Sequence, residues 1–219
     1  MGPVMKRSVP PIFGLVLAGG KSTRMKKDKA SLQYHDKIQS AHCFDLLTPL
    51  CERVFISKRR HQRNRKGETV LPRIDDHDGF AGIGPLGGIL SAMAENPKAA
   101  WLVLACDLPF VTKKILAELI AKRAPERIAT AYQSRHDGLP EPLCAIYEPR
   151  AQARLKKFFK KGIFCPRKIL IQSDTRLLRP GDKKALHNVN TSVEYAQAAG
   201  ILKKQHREAR HVTCEAECE

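Results

Sequence analysis

No apolar run in the chain approaches the roughly 20 residues that a membrane-spanning helix requires. The apolar stretch at 12–18, preceded by Lys6 and Arg7, is too short for a secretion signal. It runs into Gly19-Gly20-Lys21, where a signal would meet a small-residue cleavage site. Aromatic residues are few, 6% of 219, which leaves little ring surface for stacking bases and argues against a single-stranded nucleic-acid binder. Acidic residues are also scarce: 22 Asp and Glu stand against 39 Lys and Arg, a net charge of +17. A chain this basic attracts polyanions and phosphorylated small molecules. The seven cysteines are odd in number and contain no CxxC pair, which fits a reducing, cytoplasmic compartment. Two nucleotide signatures are missing: the Walker loop, GxxxxGK followed by Ser or Thr, and the GxGxxG dinucleotide fingerprint.

What is present is enough for a full core. The length suits one domain of generous size, and 42% hydrophobic with 28% charged residues is ordinary globular usage. Residues 1–11 read as an N-terminal extension, 12–202 as the domain, and 203–219 as a basic, polar tail that frays. Short apolar runs alternate with helical patterns. Strands are expected at 12–18, 53–57, 70–74 and 101–105, with Pro72 arguing for an edge or a bend in the third. Helices are expected at 39–50 and 86–94, and from a Thr112 cap to Lys122. This alternation implies βαβ units and a mostly parallel sheet. Beyond Arg123 two strands, 128–132 and 143–147, flank a loop rich in Gly and Pro. A helix after Pro149 carries Phe158 and Phe159, and Thr191 or Ser192 caps a last helix through Ala199. The basic runs 58–66, 156–161 and 203–210 read as solvated surface. His211, Cys214 and Cys218 could hold a soft metal, but no fourth ligand is in sight.

Four stretches carry candidate chemistry. Gly19-Gly20 directly after a buried strand lets the backbone approach a ligand, and successive N–H groups there can form an anion nest. Arg24 and Lys29 would add fixed positive charge for a polyphosphate; the alternative is a plain βα turn with surface lysines. Asp107 follows the central strand, where open α/β sheets bind ligands. It suits Mg²⁺, which takes one or two carboxylates plus substrate phosphates; the alternative is a turn aspartate. The glycines between Gly82 and Gly88 either admit a flat base or pack a helix onto the sheet. Asn188 and Asn190 either cap the last helix or offer oxygens to a metal or substrate.

Leu17-Ala18-Gly19-Gly20 with Ser22, Arg24-Met25 and Asp28-Lys29 resembles the LAGGxSxRMGxDK signature of the molybdenum cofactor guanylyltransferases. Gly84-Pro85-Leu86-Gly87-Gly88, Cys106-Asp107-Leu108-Pro109 and Asn188-Val189-Asn190-Thr191 match later landmarks of that family, in order, over about residues 12–199. Two departures stand out: Lys26 replaces a Gly, and Thr191-Ser192 replaces Thr-Pro.

The resemblance implies an α/β fold, a Rossmann-like three-layer sandwich with a mostly parallel central sheet. It also implies GTP as substrate, Mg²⁺, and transfer of GMP to the phosphate of molybdopterin with release of pyrophosphate. Leu17, Ala18 and Gly19 would line the nucleotide, Gly20 the phosphate turn, and Gly84 the glycine loop. Arg24 and Lys29 would neutralise the triphosphate, and Asp107 would be the metal ligand. Asp75 is the choice for the family's GTP-contacting aspartate, with Asp76 and Asp78 as alternatives. Arg167 or Lys168 would meet the acceptor phosphate, with Asn188 and Asn190 also on the substrate side. The Gly19-Gly20 pair resembles the guanylyl branch, since the cytidylyl branch usually has LAAG. Other molybdenum cofactor proteins are among the implied partners. Rival readings are a transferase using CTP or a sugar-phosphate acceptor, a basic nucleic-acid binder, and a GTP-binding relative without catalysis.

Overall fold

A computed structural model of the chain describes residues 8–18, 29–34, 37–60, 62, 64, 71–182 and 184–216, with the backbone alone for 29 and 206–216. Among the described residues, seven strands form one sheet in the order β3-β2-β1-β4-β6-β5-β7. They are β1 (Ile12–Leu17), β2 (Arg53–Lys58), β3 (Arg73–Asp75), β4 (Ala100–Ala105), β5 (Ala129–Gln133), β6 (Pro140–Tyr147) and β7 (Thr175–Leu178). Pairings β1–β2, β2–β3, β1–β4 and β5–β7 are parallel; β6 alone is reversed, antiparallel to both β4 and β5. The expected mostly parallel sheet is therefore present, and the strand containing Pro72's neighbours is its short outer edge.

Among the described residues six α-helices accompany the strands: α1 (Gln39–Leu47), α2 (Pro85–Glu95), α3 (Lys113–Ala121), α4 (Ala151–Lys160), α5 (Pro166–Ile171) and α6 (Ser192–Ala216). Alternation along β1 explains the layering. Phe13, Leu15 and Leu17 enter one core with Leu86, Ile89 and Leu90 of α2 and Leu155 and Phe158 of α4. Val16 turns to the opposite core with Cys43 and Leu47 of α1 and Leu116 and Leu119 of α3. A strand buried on both faces must be apolar throughout, which is how β1 and β4 read. Trp101 of β4 anchors the first core, its ring edge-on to Phe13 at 5.7 Å.

Helix ends follow local chemistry. The Thr112 side chain accepts from the Ile115 N–H and caps α3, as its position predicts. At α6, Thr191 and Glu194 form a reciprocal pair. Thr191 Oγ1 accepts from the Glu194 N–H at 3.2 Å, and a Glu194 carboxylate oxygen accepts from the Thr191 N–H at 2.9 Å. The helix then continues to Ala216, well past the expected end at Ala199, because its Lys, Gln, Glu, Arg and Ala residues are strong helix formers. Lys58 closes β2 and is buried; it does not open the following loop.

A buried ion pair ties the sheet at the end where β1 begins and β6 finishes. Arg123 Nε and Nη2 donate to the two Glu148 oxygens, each at 2.7 Å, and Nη1 donates to the Pro10 carbonyl at 2.9 Å. The Glu148 side chain is 0% exposed. Removing one partner leaves the other charge buried, so Glu148→Ala is expected to cost about 3–5 kcal/mol in urea denaturation.

Candidate active site

Strands β1 and β4 lie side by side with Leu17 opposite Ala105. The chain leaves both strands at the same end, then turns in opposite directions, toward β2 from β1 and toward β5 and β6 from β4. Such a divergence opens the crevice where α/β sheets bind ligands. Ala18 sits at its rim, and its N–H donates to the Ser57 carbonyl at the end of β2. Gly19, Gly20 and Arg24, and the side chain of Lys29, lie outside the described residues, as do the side chains of His211, Cys214 and Cys218.

Asp107 stands two residues beyond β4. Its carbonyl accepts the Val189 N–H at 2.9 Å, which stitches the Asn188–Asn190 segment to the β4 end. Two of the sequence motifs, 80 residues apart, thus meet. Asn188 lies near Glu141, the second residue of β6. Asn190 gives its backbone N–H to Glu194 at 2.6 Å. Because β6 is reversed, its beginning lies against the end of β4, and Glu141 comes beside Asp107. Burial pushes the Glu141 carboxyl above its ordinary value; the Leu143 N–H and Arg167 pull it back, while the charge of Asp107 pushes it up again.

Arg167, at the start of α5, reaches into this group. Its guanidinium bonds Asp137 at 2.9 Å and Glu141 at 3.2 Å. Lys168 is exposed on the same helix. Tyr34 is buried with Phe110 and Val189. Burial, then Tyr195 and Asp107, hold its phenol far above the ordinary value, so it remains a hydroxyl.

On the β2 side, Gly84 takes a left-handed φ of 72° ahead of Pro85, a conformation that favours glycine. Gly87 and Gly88 serve packing instead. A Cβ on Gly87 would lie 2.4 Å from the Phe80 carbonyl oxygen, and one on Gly88 would lie 2.3 Å from Ser57 Oγ. The three nearby aspartates separate clearly. Asp75 accepts from Arg73 Nε at 2.6 Å, Asp78 pairs with Arg60, and Asp76 is buried with its N–H on the Lys58 carbonyl.

Glu141, Asp137, Tyr34 and Lys58 were not singled out from sequence. Glu141 did carry a signal: it falls in phase with Leu143, Ala145 and Tyr147, the same face of β6. An acid on a buried phase is a marked position.

The chain was compared with known proteins. A family model described as the MobA-like NTP transferase domain matches residues 14–176. The chain belongs to the MobA-like NTP transferase family. Among relatives of this family member, a molybdenum cofactor guanylyltransferase of Pseudomonas fluorescens is 31% identical over 87% of the chain and 95% of its own length. A molybdenum cofactor biosynthesis bifunctional protein of Synechocystis is 37% identical over 87% of the chain, which spans only 54% of that relative. In structure, the molybdopterin-guanine dinucleotide biosynthesis protein A of Archaeoglobus fulgidus superposes with a TM-score of 0.71. It has 22% identity over 88% of this chain and 99% of its own, a likeness of fold. No helix among the described residues of this MobA-like chain is long and apolar enough to cross a membrane.

The buried Asp76 supplies a pH test. Burial and then Asp75 raise its carboxyl from 3.8 to about 6. Between those values the folded chain keeps a proton that the unfolded chain has shed. This contribution to stability is fully present below the lower value and is lost as pH rises through the upper one. Asp76→Asn removes that dependence. Urea titrations from pH 4 to 7 are expected to show the variant gaining on the parent by about 1–3 kcal/mol.

Proposed function

We propose that the protein is a Mg²⁺-dependent guanylyltransferase that moves GMP from GTP to the phosphate of molybdopterin. The observation that carries this reading is the meeting of Asp107 with the Asn188–Asn190 segment at the mouth between β1 and β4. Membership of the MobA-like family and the printed function of the Pseudomonas relative support the choice of GTP and acceptor.

An acceptor phosphate oxygen forms a bond to the α-phosphorus of GTP while the bond to the bridging oxygen breaks, and pyrophosphate leaves. The nucleophile is already ionised, so the chain need not supply a general base. Its task is to hold two anions together against repulsion and to steady the charge gathering on pyrophosphate. In this reading Leu17, Ala18 and Gly19 line the nucleotide, Gly20 belongs to the phosphate turn, and Gly84 and Asp75 lie along the nucleotide side. Arg24 and Lys29 balance the triphosphate. Arg167, Lys168, Asn188 and Asn190 serve the acceptor. A carboxylate such as that of Asp107 is an oxygen donor, the chemistry that suits a hard cation taking one or two carboxylates together with substrate phosphates. When bound there, Mg²⁺ supplies charge neutralisation to the phosphates.

The test is incubation with GTP, Mg²⁺ and molybdopterin, reading the guanylylated product by mass spectrometry and pyrophosphate by a coupled assay. Product is expected with GTP and not with CTP. Asp107→Ala is expected to slow turnover by about 10²-fold, the scale of losing one preorganised electrostatic group. Parent-like turnover in that variant removes Asp107 from its role.

A further inference from the structure

On the β6 side of Asp107, one guanidinium is shared by two unlike carboxylates. Arg167 Nη2 donates to Glu141 Oε2 at 3.2 Å, and Nη1 donates to Asp137 Oδ2 at 2.9 Å. The Glu141 side chain is 5% exposed, that of Asp137 33%, and that of Arg167 31%. Glu141 is committed to the protein. Its other oxygen accepts from the Leu143 N–H at 3.1 Å. Asp137 needs only one oxygen for its own turn, where it accepts from the Leu139 N–H at 3.1 Å. The other oxygen rests on Arg167 at the solvent side.

Arg167 is therefore held on one side by an enclosed carboxylate and on the other by a solvent-exposed one. The exposed occupant is a monoanion. A phosphate monoester carries more charge than a carboxylate, which favours it over an exposed carboxylate on that side.

We propose that Asp137 holds the place of the acceptor's phosphate on Arg167, and that Glu141 keeps Arg167 in position while the two anions exchange. The ligand class is a phosphate monoester, and the inference rests on the acceptor reading given above. Asp137 is then a competitor of the substrate, and Glu141 a positioning residue. Their neutral isosteres act in opposite directions, which a purely structural cluster does not produce.

The experiment uses the full chain with GTP and Mg²⁺ present and molybdopterin as the titrated probe, reading both the melting temperature and the acceptor KM. Asp137→Asn keeps an oxygen for the Leu139 N–H and loses the competing charge. It is expected to lower the acceptor concentration for half-saturation by about threefold, the scale of an exposed charge pair. Glu141→Gln is expected to raise it by about tenfold, the scale of a charge-assisted hydrogen bond. The rise in melting temperature caused by GTP alone should match the parent in both. Should Glu141→Gln fail to fold, the exposed Asp137→Asn decides alone. Unchanged or weaker acceptor binding in Asp137→Asn, with the GTP response intact, overturns the exchange. A parent chain that responds to GTP but not to molybdopterin overturns the acceptor reading and this inference together. One that responds to neither overturns the guanylyltransferase reading as well.

Discussion

Strands β1 and β4 run side by side in the same direction, and the chain departs from them toward opposite edges of the sheet. No crossover helix can cover the gap this leaves at their shared end. Everything of chemical interest is arranged around that gap. Leu17 and Ala18 reach it from one strand and Asp107 from the other, while the segment before α6 is pinned to it by the Val189 N–H on the Asp107 carbonyl. The apolar interior, with Trp101 against Phe13 and Phe55, serves to keep the two strand ends in register.

Acids are rare in this chain, and their placement is correspondingly informative. Glu148 is enclosed with Arg123 away from the crevice and stabilises the sheet's far end. Glu141 is enclosed with Arg167 beside Asp107. Asp76 is enclosed at the end of β2. Burying a carboxylate without partners is expensive, so each of these sites is built from named donors or sits where a proton can be retained. The excess of lysine and arginine elsewhere gives the crevice an attractive background for anions.

Much of this was readable before any coordinates. Two-sided burial makes β1 and β4 continuous apolar runs, and capping chemistry marks Thr112 and Thr191, so these elements declare themselves locally. Asp107 and the Asn188–Asn190 segment, both picked out by the resemblance, lie side by side. Other features were hidden for physical reasons. The insertion of β6 between β4 and β5 depends on a long-range partner choice that residue pattern does not encode, and with it went the placing of Glu141. The six-residue α5 is too short for a helical period to show, so Arg167 could be nominated but not oriented. The polar stretch after Lys203 lacks an apolar stripe, yet its helix propensity carries α6 onward. Among Asp75, Asp76 and Asp78, only tertiary burial distinguishes one from another.

The reversed β6 has a further consequence. Its first residues are delivered by a hairpin, in which Gln133 pairs with Pro140 and Gly138 turns with a φ of 72°. The residues facing one bank of the crevice thus hang on a surface loop, while those of the other bank hang on buried parallel strands. Insertions or deletions in a hairpin are tolerated far more readily than in a sheet core. The architecture therefore leaves one half of the crevice free to diversify through changes in loop length, with the opposite half held constant by the sheet.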